Sequence, residues 1–199
     1  GADGLKNIAQ RIHRLTSILA SGLQQAGVEV CNESFFDTLT IKIHEDQFDE
    51  ILNRTSSAKI NLRLDRAQKD KQIGISLDEC STVNDVQNIW EVIVGDKANN
   101  LSIDDIDLSI VNGGTGSAIP NSLIRRSEFL QHPNFKNYHS ETDMMRYLKK
   151  LEDKDISLTH AMIPLGSCTM KLNAAAEMAP ISWPEFSKPH PFTPIEQMA

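Results

Sequence analysis

The start of the chain carries an apolar residue at every third or fourth position, which is the spacing of one face of an α-helix. The residues on this face are Leu5, Ile8, Ile12, Leu15, Leu19 and Leu23. The opposite face carries polar residues such as Lys6, Arg14 and Gln24, and Gly27 follows the last apolar position. Because glycine commonly terminates helices, the pattern predicts a first helix that ends near Gly27.

The spacing then changes to every second position in three short runs, residues 38–43, 60–64 and 72–77. Alternation of this kind predicts β-strands with one buried face. The second and third runs flank the charged turn from Arg66 to Lys71, so they predict an antiparallel hairpin. A second helix is predicted between the first two runs, from about Asp46 to Thr55.

Helical spacing returns between Thr82 and Val94, with Ser81 or Thr82 as the predicted N-cap. The resulting order is helix, strand, helix, strand, strand, helix. It predicts an α+β fold for residues 1–96, with helices on a small, mostly antiparallel sheet. We expect this segment to form one domain.

The composition after residue 96 is different. Residues 96–120 are rich in Asn, Asp, Ser and Gly and predict a linker or irregular loop. Ser140, with Asp143 three residues later, resembles a capping box and predicts a helix to about Asp153. A short helix is predicted over 173–178. Five prolines between residues 180 and 194 then predict an extended tail that packs on something else.

Charge and composition exclude several classes of protein. The net charge is −7 and the basic residues form no stripe, which argues against nucleic-acid binding. No run approaches the roughly 18 apolar residues of a membrane span, and the chain has no signal-peptide pattern, so we expect a soluble intracellular protein. The cysteines Cys31, Cys80 and Cys168 are too widely spaced for a disulfide framework or a clustered metal site.

The missing initiator Met and the Pro-rich end predict a piece of a longer protein.

The side chains most suited to catalysis or ligand binding lie close together after a Pro-Leu-Gly turn. Within five positions they are Ser167, Cys168, Thr169 and Lys171. Hydroxyls and backbone N–H groups after Gly166, at the start of a short predicted helix, suit a phosphate or a carboxylate. A purely structural loop is the alternative. Cys168 could act as a nucleophile, although the sequence identifies no base for it. Lys171 could form a Schiff base with pyridoxal phosphate.

Two further patterns do not match the known motifs for dinucleotide or metal binding. The run Gly114–Gly116 begins like a dinucleotide fingerprint, but Ile119 occupies the position where the third glycine is needed. Three histidines and two carboxylates also invite a metal-site interpretation: His132, His139, His160, Glu141 and Asp143. Their spacing matches no ligand motif, so solvent-facing or hydrogen-bonded histidines are favoured.

The string from Ile163 to Asn173 resembles the central segment of the glycine cleavage system P-protein family. Tyr138–Thr142 upstream, and Trp183–Phe186 and His190–Pro194 downstream, extend the resemblance, which covers nearly the whole chain. It implies a pyridoxal-phosphate enzyme with two aminotransferase-type halves, in one chain or in two subunits.

Within that family, residues 1–96 would be the small domain that closes the first half. Residues 97–160 would be a linker and bridging helix, and residues 161–199 would open the second half.

The resemblance implies an enzyme that decarboxylates glycine and transfers its aminomethyl group to the lipoyl arm of H-protein. The family's Schiff-base lysine would lie beyond Ala199, so we expect the chain alone to be inactive. Ser167, Cys168, Thr169 and Lys171 would line the cofactor, the substrate or the lipoyl-arm channel. The parent would be a homodimer or a two-subunit assembly, in a bacterial cytoplasm or a mitochondrial matrix.

Two alternatives stay open at this point. Another fold-type I pyridoxal-phosphate enzyme would share the small domain, and a lysine in a different motif after Ala199 would identify it. A non-catalytic interaction module would bind neither pyridoxal phosphate nor H-protein.

Overall fold

The computed structural model describes residues 1–64, 70–113, 118–156, 160, 162 and 174–198. The chain divides into two compact units, Gly1–Phe135 and Lys136–Ala199. Each unit is described by itself below.

The first unit begins with the predicted long helix, α1 (Ala2–Gln25), which is followed by Gly27 in a left-handed conformation with φ 90°. The strands described are β1 (Glu29–Val30), β2 (Thr38–Lys42) and β3 (Gln72–Ser76), and they form an antiparallel sheet in the order β1-β2-β3. The apolar residues of β2 and β3 face each other in the pairs Leu39↔Ile75 and Ile41↔Ile73. The predicted α+β architecture is therefore confirmed.

The predicted antiparallel pairing of residues 60–64 with 72–77 is confirmed in part. Its second run is the strand β3, but that strand pairs along its full length with β2, which lies far earlier in the chain. The first run contributes one antiparallel bridge, Arg63↔Gly74, with N···O distances of 3.0 and 2.9 Å. Gly74 is paired with Thr40 of β2 on one edge of β3 and with Arg63 on the other, so the two pairings coexist. The pairing with β2 is the longer one, because the buried faces of β2 and β3 match over their length.

Two further helices, α2 (Phe48–Ala58) and α3 (Val83–Val94), lie close to their predicted positions. Thr82 caps α3 in a complete capping box, in which Asp85 accepts a hydrogen bond from the Thr82 backbone N–H at 2.7 Å. Arg54 of α2 donates to the carbonyl oxygens of Val92 (2.7 Å) and Ile93 (3.0 Å). It thus satisfies backbone acceptors at the C-terminal end of α3.

The expected irregular segment at residues 96–120 contains a helix instead, α4 (Ile103–Gly113). Its apolar residues Ile103, Ile106 and Ile110 follow helical spacing and pack on the core, and Ile106 is buried. The polar composition around them concealed this periodicity. The packed core of the first unit therefore extends past residue 96, while the separate folding of residues 1–96 remains a prediction.

The core lies where the four helices α1, α2, α3 and α4 meet the inner face of the sheet. Trp90 of α3 is its largest fully buried side chain. The Trp90 indole N–H donates to the carbonyl oxygen of Leu19 at 3.0 Å, and its ring lies directly against Gly22 of α1. This contact fixes α3 on α1.

We predict a pH-dependent contribution from the ion pair that joins α1 to α4. Arg14 Nε donates to Asp107 Oδ1 at 2.6 Å, and this hydrogen bond holds the pKa of the Asp107 carboxyl below its usual range. Since the pKa is lowered on folding, the stabilisation is present above the ordinary Asp pKa of about 3.9 and is lost as the pH falls through the lower value.

Asp107→Asn should therefore lower the free energy of unfolding by about 0.2–1 kcal/mol at pH 7, the usual range for a partly exposed pair. Urea unfolding of both proteins from pH 7 down to pH 2 measures this. Their difference should shrink towards zero in acid; a difference that stays constant with pH would contradict the assignment.

The second unit contains α5 (Glu141–Glu152), α6 (Ala175–Met178) and α7 (Pro184–Ser187). The helix predicted from Ser140 is confirmed as α5. The expectation of a tail without regular structure is wrong, because Ala179–Ser182, Pro184–Ser187 and Ile195–Gln197 form short helical turns. Pro184 occupies the first turn of α7, where the missing N–H costs no hydrogen bond.

No helix within the described ranges combines the length and the apolar character that crossing a membrane would need.

Candidate functional site

The predicted site residues Ser167, Cys168, Thr169 and Lys171 lie outside the residues that the structure describes. In sequence they fall between α5 and α6. In the same unit, the loop that leads into α5 carries several polar and titratable side chains that the structure describes.

This loop borders an open depression of about 570 Å³. The residues that line it are Lys136, Asn137, Tyr138, His139, Ser140 and Asp143. An ammonium group, an imidazole, a phenol and a carboxylate therefore meet on one exposed surface. Such a set can hydrogen-bond a small polar ligand.

Tyr138 adopts a backbone conformation that is uncommon for a residue other than glycine, with φ 61°. Its ring stacks on Tyr147 of α5, with 4.1 Å between ring centroids and 13° between planes. The stack holds the loop against the second turn of the helix. Sequence reasoning missed this pair, because Tyr138 and Tyr147 do not have the spacing of a hydrophobic staple around the Ser140 N-cap.

Ser140 caps α5, since its hydroxyl accepts from the Asp143 N–H at 3.1 Å and donates to Asp143 Oδ2 at 2.7 Å. Glu141 and Asp143 add negative charge to the first turn. These groups already satisfy the positive end of the helix dipole, so this N-terminus is poorly suited to bind an anion. Lys136 is the group in the depression that best fits a phosphate or a carboxylate.

A charged network fixes the other end of α5. Lys149 donates to Glu152 and is paired with Asp153, both at 2.9 Å, and Asp153 lies 3.3 Å from Nε2 of His160. The hydrogen bond from Lys149 lowers the pKa of Asp153, and the same bond raises the pKa of Lys149. The network holds His160 near the helix end, only seven residues before Ser167.

The three histidines of the metal interpretation have other surroundings. His132 accepts a hydrogen bond from the Asn134 N–H at 3.2 Å and meets the Phe135 ring edge-on. His139 lines the depression, and His160 faces Asp153. Across the described part of the chain, no group of three or more His, Cys, Asp and Glu side chains is arranged to hold a metal ion.

The residues around the depression can be compared with what a pyridoxal phosphate site needs. The depression supplies Lys136, hydroxyl groups and the rings of Tyr138 and His139, but it is open, whereas a cofactor site usually encloses most of its ligand. These residues alone could form only part of a cofactor site.

Comparisons with known proteins all relate the chain to one group of enzymes. Residues 1–93 match the sequence model described as the glycine cleavage system P-protein. The chain is 52% identical over 197 residues to the glycine dehydrogenase (decarboxylating) of Idiomarina loihiensis, which covers 99% of this chain. The enzymes of the same name from Shewanella sediminis and Vibrio parahaemolyticus are 51% and 52% identical over 99% and 100% of this chain. The chain spans about 20% of the length of each of these relatives.

Proposed function

We propose that the chain belongs to the glycine cleavage system P-protein family and forms part of a glycine dehydrogenase (decarboxylating). The observation that carries this proposal is the 52% identity to an enzyme of that name across nearly all of the 199 residues. Such an enzyme would release CO2 from glycine and transfer the aminomethyl group to the lipoyl arm of H-protein. As the relatives are bacterial, the cytoplasm is the location that the proposal implies.

Pyridoxal phosphate, when bound, would supply the electron sink that decarboxylation requires. The role that we assign to this chain is to bind an anionic group of the cofactor or the substrate. The hydroxyls of Ser167 and Thr169 and the N–H groups after Gly166 would donate hydrogen bonds to an anionic phosphate or carboxylate. Lys171 and Cys168 would line the same channel. The proposed Schiff-base lysine lies elsewhere in the parent protein, so the 199 residues alone would not turn over glycine.

Replacing Thr169 or Ser167 by alanine in the full-length protein should lower the rate of glycine decarboxylation about tenfold or more. The physical reason is that one lost donor to an anion costs roughly 1.5–3 kcal/mol. The measurement is release of labelled CO2 from carboxyl-labelled glycine with lipoylated H-protein, together with titration of pyridoxal phosphate.

Ser187→Ala provides the matched control, because Ser187 is an exposed serine at the end of α7 and the same hydroxyl is removed there. Its rate should equal that of the unaltered protein. If the Ser167 and Thr169 variants also keep their rate and cofactor affinity, the loop has a structural role and the binding assignment is wrong.

A further inference from the structure

The imidazole of His13 on α1 holds the loop that connects β1 to β2, residues 31–37. A carbonyl oxygen can only accept, so the Nδ1–H of His13 donates to the Phe36 carbonyl oxygen at 2.9 Å. The His13 ring is nearly parallel to the Phe36 ring, with 5.8 Å between centroids and 7° between planes. The Phe35 ring lies 6.0 Å from it. One side chain of α1 therefore contacts two successive residues of the loop.

The other ring nitrogen of His13 has no partner. Across the described part of the chain, Nε2 of His13 is the one buried side-chain nitrogen or oxygen atom without a hydrogen bond. Because Nδ1 carries the ring hydrogen, Nε2 holds a lone pair and the ring is neutral in this arrangement. A proton on Nε2 would create a buried, positively charged N–H without an acceptor, which is costly. The arrangement therefore selects the neutral imidazole.

The charged groups around His13 offer no acceptor to Nε2. On α1, in the loop and in the turn before α3 these groups are Arg11, Arg14, Glu33, Asp37, Asp78 and Glu79. Arg11 donates to two carbonyl oxygens of the turn, and Arg14 donates to α4. Asp37 accepts from the hydroxyl of the next residue at 2.9 Å. Within the described ranges, no carboxylate is placed to receive the N–H of a protonated ring.

Two backbone hydrogen bonds depend on the position of the loop. The Leu77 N–H donates to the Asp37 carbonyl oxygen at 3.0 Å. At the other end of the loop, the Thr40 N–H donates to the side-chain oxygen of Asn32 at 2.6 Å. If the loop moves away from α1, both N–H groups lose their acceptors. Exchange of these amide hydrogens with solvent therefore reports on the loop.

We propose that His13 is an acid-sensitive switch for the β1–β2 loop. The neutral ring holds the loop on α1, and a proton on Nε2 favours the released loop, in which water can solvate the charge. Since the closed arrangement excludes the proton, closure is complete above the ordinary titration range of histidine, about pH 6.5, and is lost as the pH falls below it. The switch is independent of the proposed activity, and its test uses neither glycine nor pyridoxal phosphate.

The test is amide hydrogen exchange of the chain by NMR at about pH 7.5 and about pH 5.5, with each rate divided by the intrinsic rate at that pH. At the lower pH an unrestrained imidazole is charged about ten times more often than it is neutral, so protection of the Leu77 N–H should fall about tenfold. The Gly74 N–H donates to the Arg63 carbonyl oxygen instead of the loop and should keep its protection. Equal protection of the Leu77 N–H at the two pH values would overturn the proposal.

Two histidine variants form a matched pair. His13→Asn keeps a side-chain N–H that can donate to the Phe36 carbonyl oxygen but takes up no proton, so protection of the Leu77 N–H should no longer depend on pH. His44→Asn removes an exposed imidazole outside the loop and should leave the tenfold change intact. A pH dependence that survives in His13→Asn would assign the effect to another group and refute the switch.

Nitrogen NMR of the unaltered protein gives a check that needs no variant. At about pH 7.5 the His13 ring should carry its hydrogen on Nδ1, because that atom faces the Phe36 carbonyl oxygen. A ring hydrogen on Nε2 would refute the arrangement on which the switch depends.

Discussion

Replacing Trp90 by alanine should lower the free energy of unfolding by about 3–5 kcal/mol, the usual cost of removing a large buried aromatic side chain. Trp90 is 1% exposed and lies where α3 packs on α1. Its loss would leave a cavity against Gly22, which has no side chain to fill it, and would remove the hydrogen bond to the Leu19 carbonyl oxygen. Urea unfolding followed by far-UV circular dichroism measures the change.

Two control variants separate the causes. Trp90→Phe keeps most of the ring but not the indole N–H, so it should cost less than the alanine variant. Val83→Ala removes an apolar side chain from the same helix at a position that is 47% exposed, and its effect should stay within about 0.5 kcal/mol. A loss below about 1 kcal/mol for Trp90→Ala would show that the α1–α3 contact does not hold the first unit together.

The sequence predicted the elements whose buried faces repeat regularly. The apolar positions of α1 and α3 recur at helical spacing, and the alternation in β2 and β3 matches their buried residues Leu39, Ile41, Ile73 and Ile75. The N-cap Ser140 was also predicted, and Thr82 was one of two predicted caps for α3, because a capping side chain bonds to a backbone N–H only three residues away. These features depend on local sequence alone.

Features that depend on contacts between distant residues were not predicted. The long pairing of β3 is with β2, which lies 30 or more residues earlier, whereas the predicted pairing with residues 60–64 is limited to the Arg63–Gly74 bridge. Strand β1 is only two residues long, too short to show a period. In α4 the apolar positions are interrupted by Asp104, Asp105 and Asp107, and Asp107 is explained only by its bond to Arg14 on another helix.

The candidate site was predicted as a string of residue types, without geometry. Ser167 to Lys171 were selected for their hydroxyl, thiol and amine groups, and their roles stay predictions. The Tyr138–Tyr147 stack was not predicted, because a positive φ at a tyrosine has no signature in the residue pattern. The helical turns of the tail were not predicted either. Prolines cannot continue a helix, but they can occupy its first turn, as Pro184 does in α7.

Gly22→Ala should destabilise the chain, although alanine is the better helix former. A Cβ atom at Gly22 would lie 2.3 Å from Cε2 and Cζ2 of Trp90, far inside van der Waals contact. The indole ring is buried and tied to the Leu19 carbonyl oxygen, so it cannot move away cheaply. Overpacking typically costs 1–3 kcal/mol, and the gain in helix propensity offsets about 1 kcal/mol of this, so we expect a net loss of about 1–2 kcal/mol.

Gly4→Ala is the matched control, because it makes the same change in the same helix where nothing lies within 4 Å of the new Cβ. It should stabilise the chain by up to about 1 kcal/mol through helix propensity alone, less near the fraying end of the helix. The two substitutions therefore have opposite signs, which urea unfolding of both variants would reveal. If the clash with the indole is the cause, Trp90→Phe should recover part of the stability lost by Gly22→Ala, because the smaller ring gives the methyl group room. A Gly22→Ala protein as stable as the Gly4→Ala protein would mean that α1 and α3 can separate at this contact without cost.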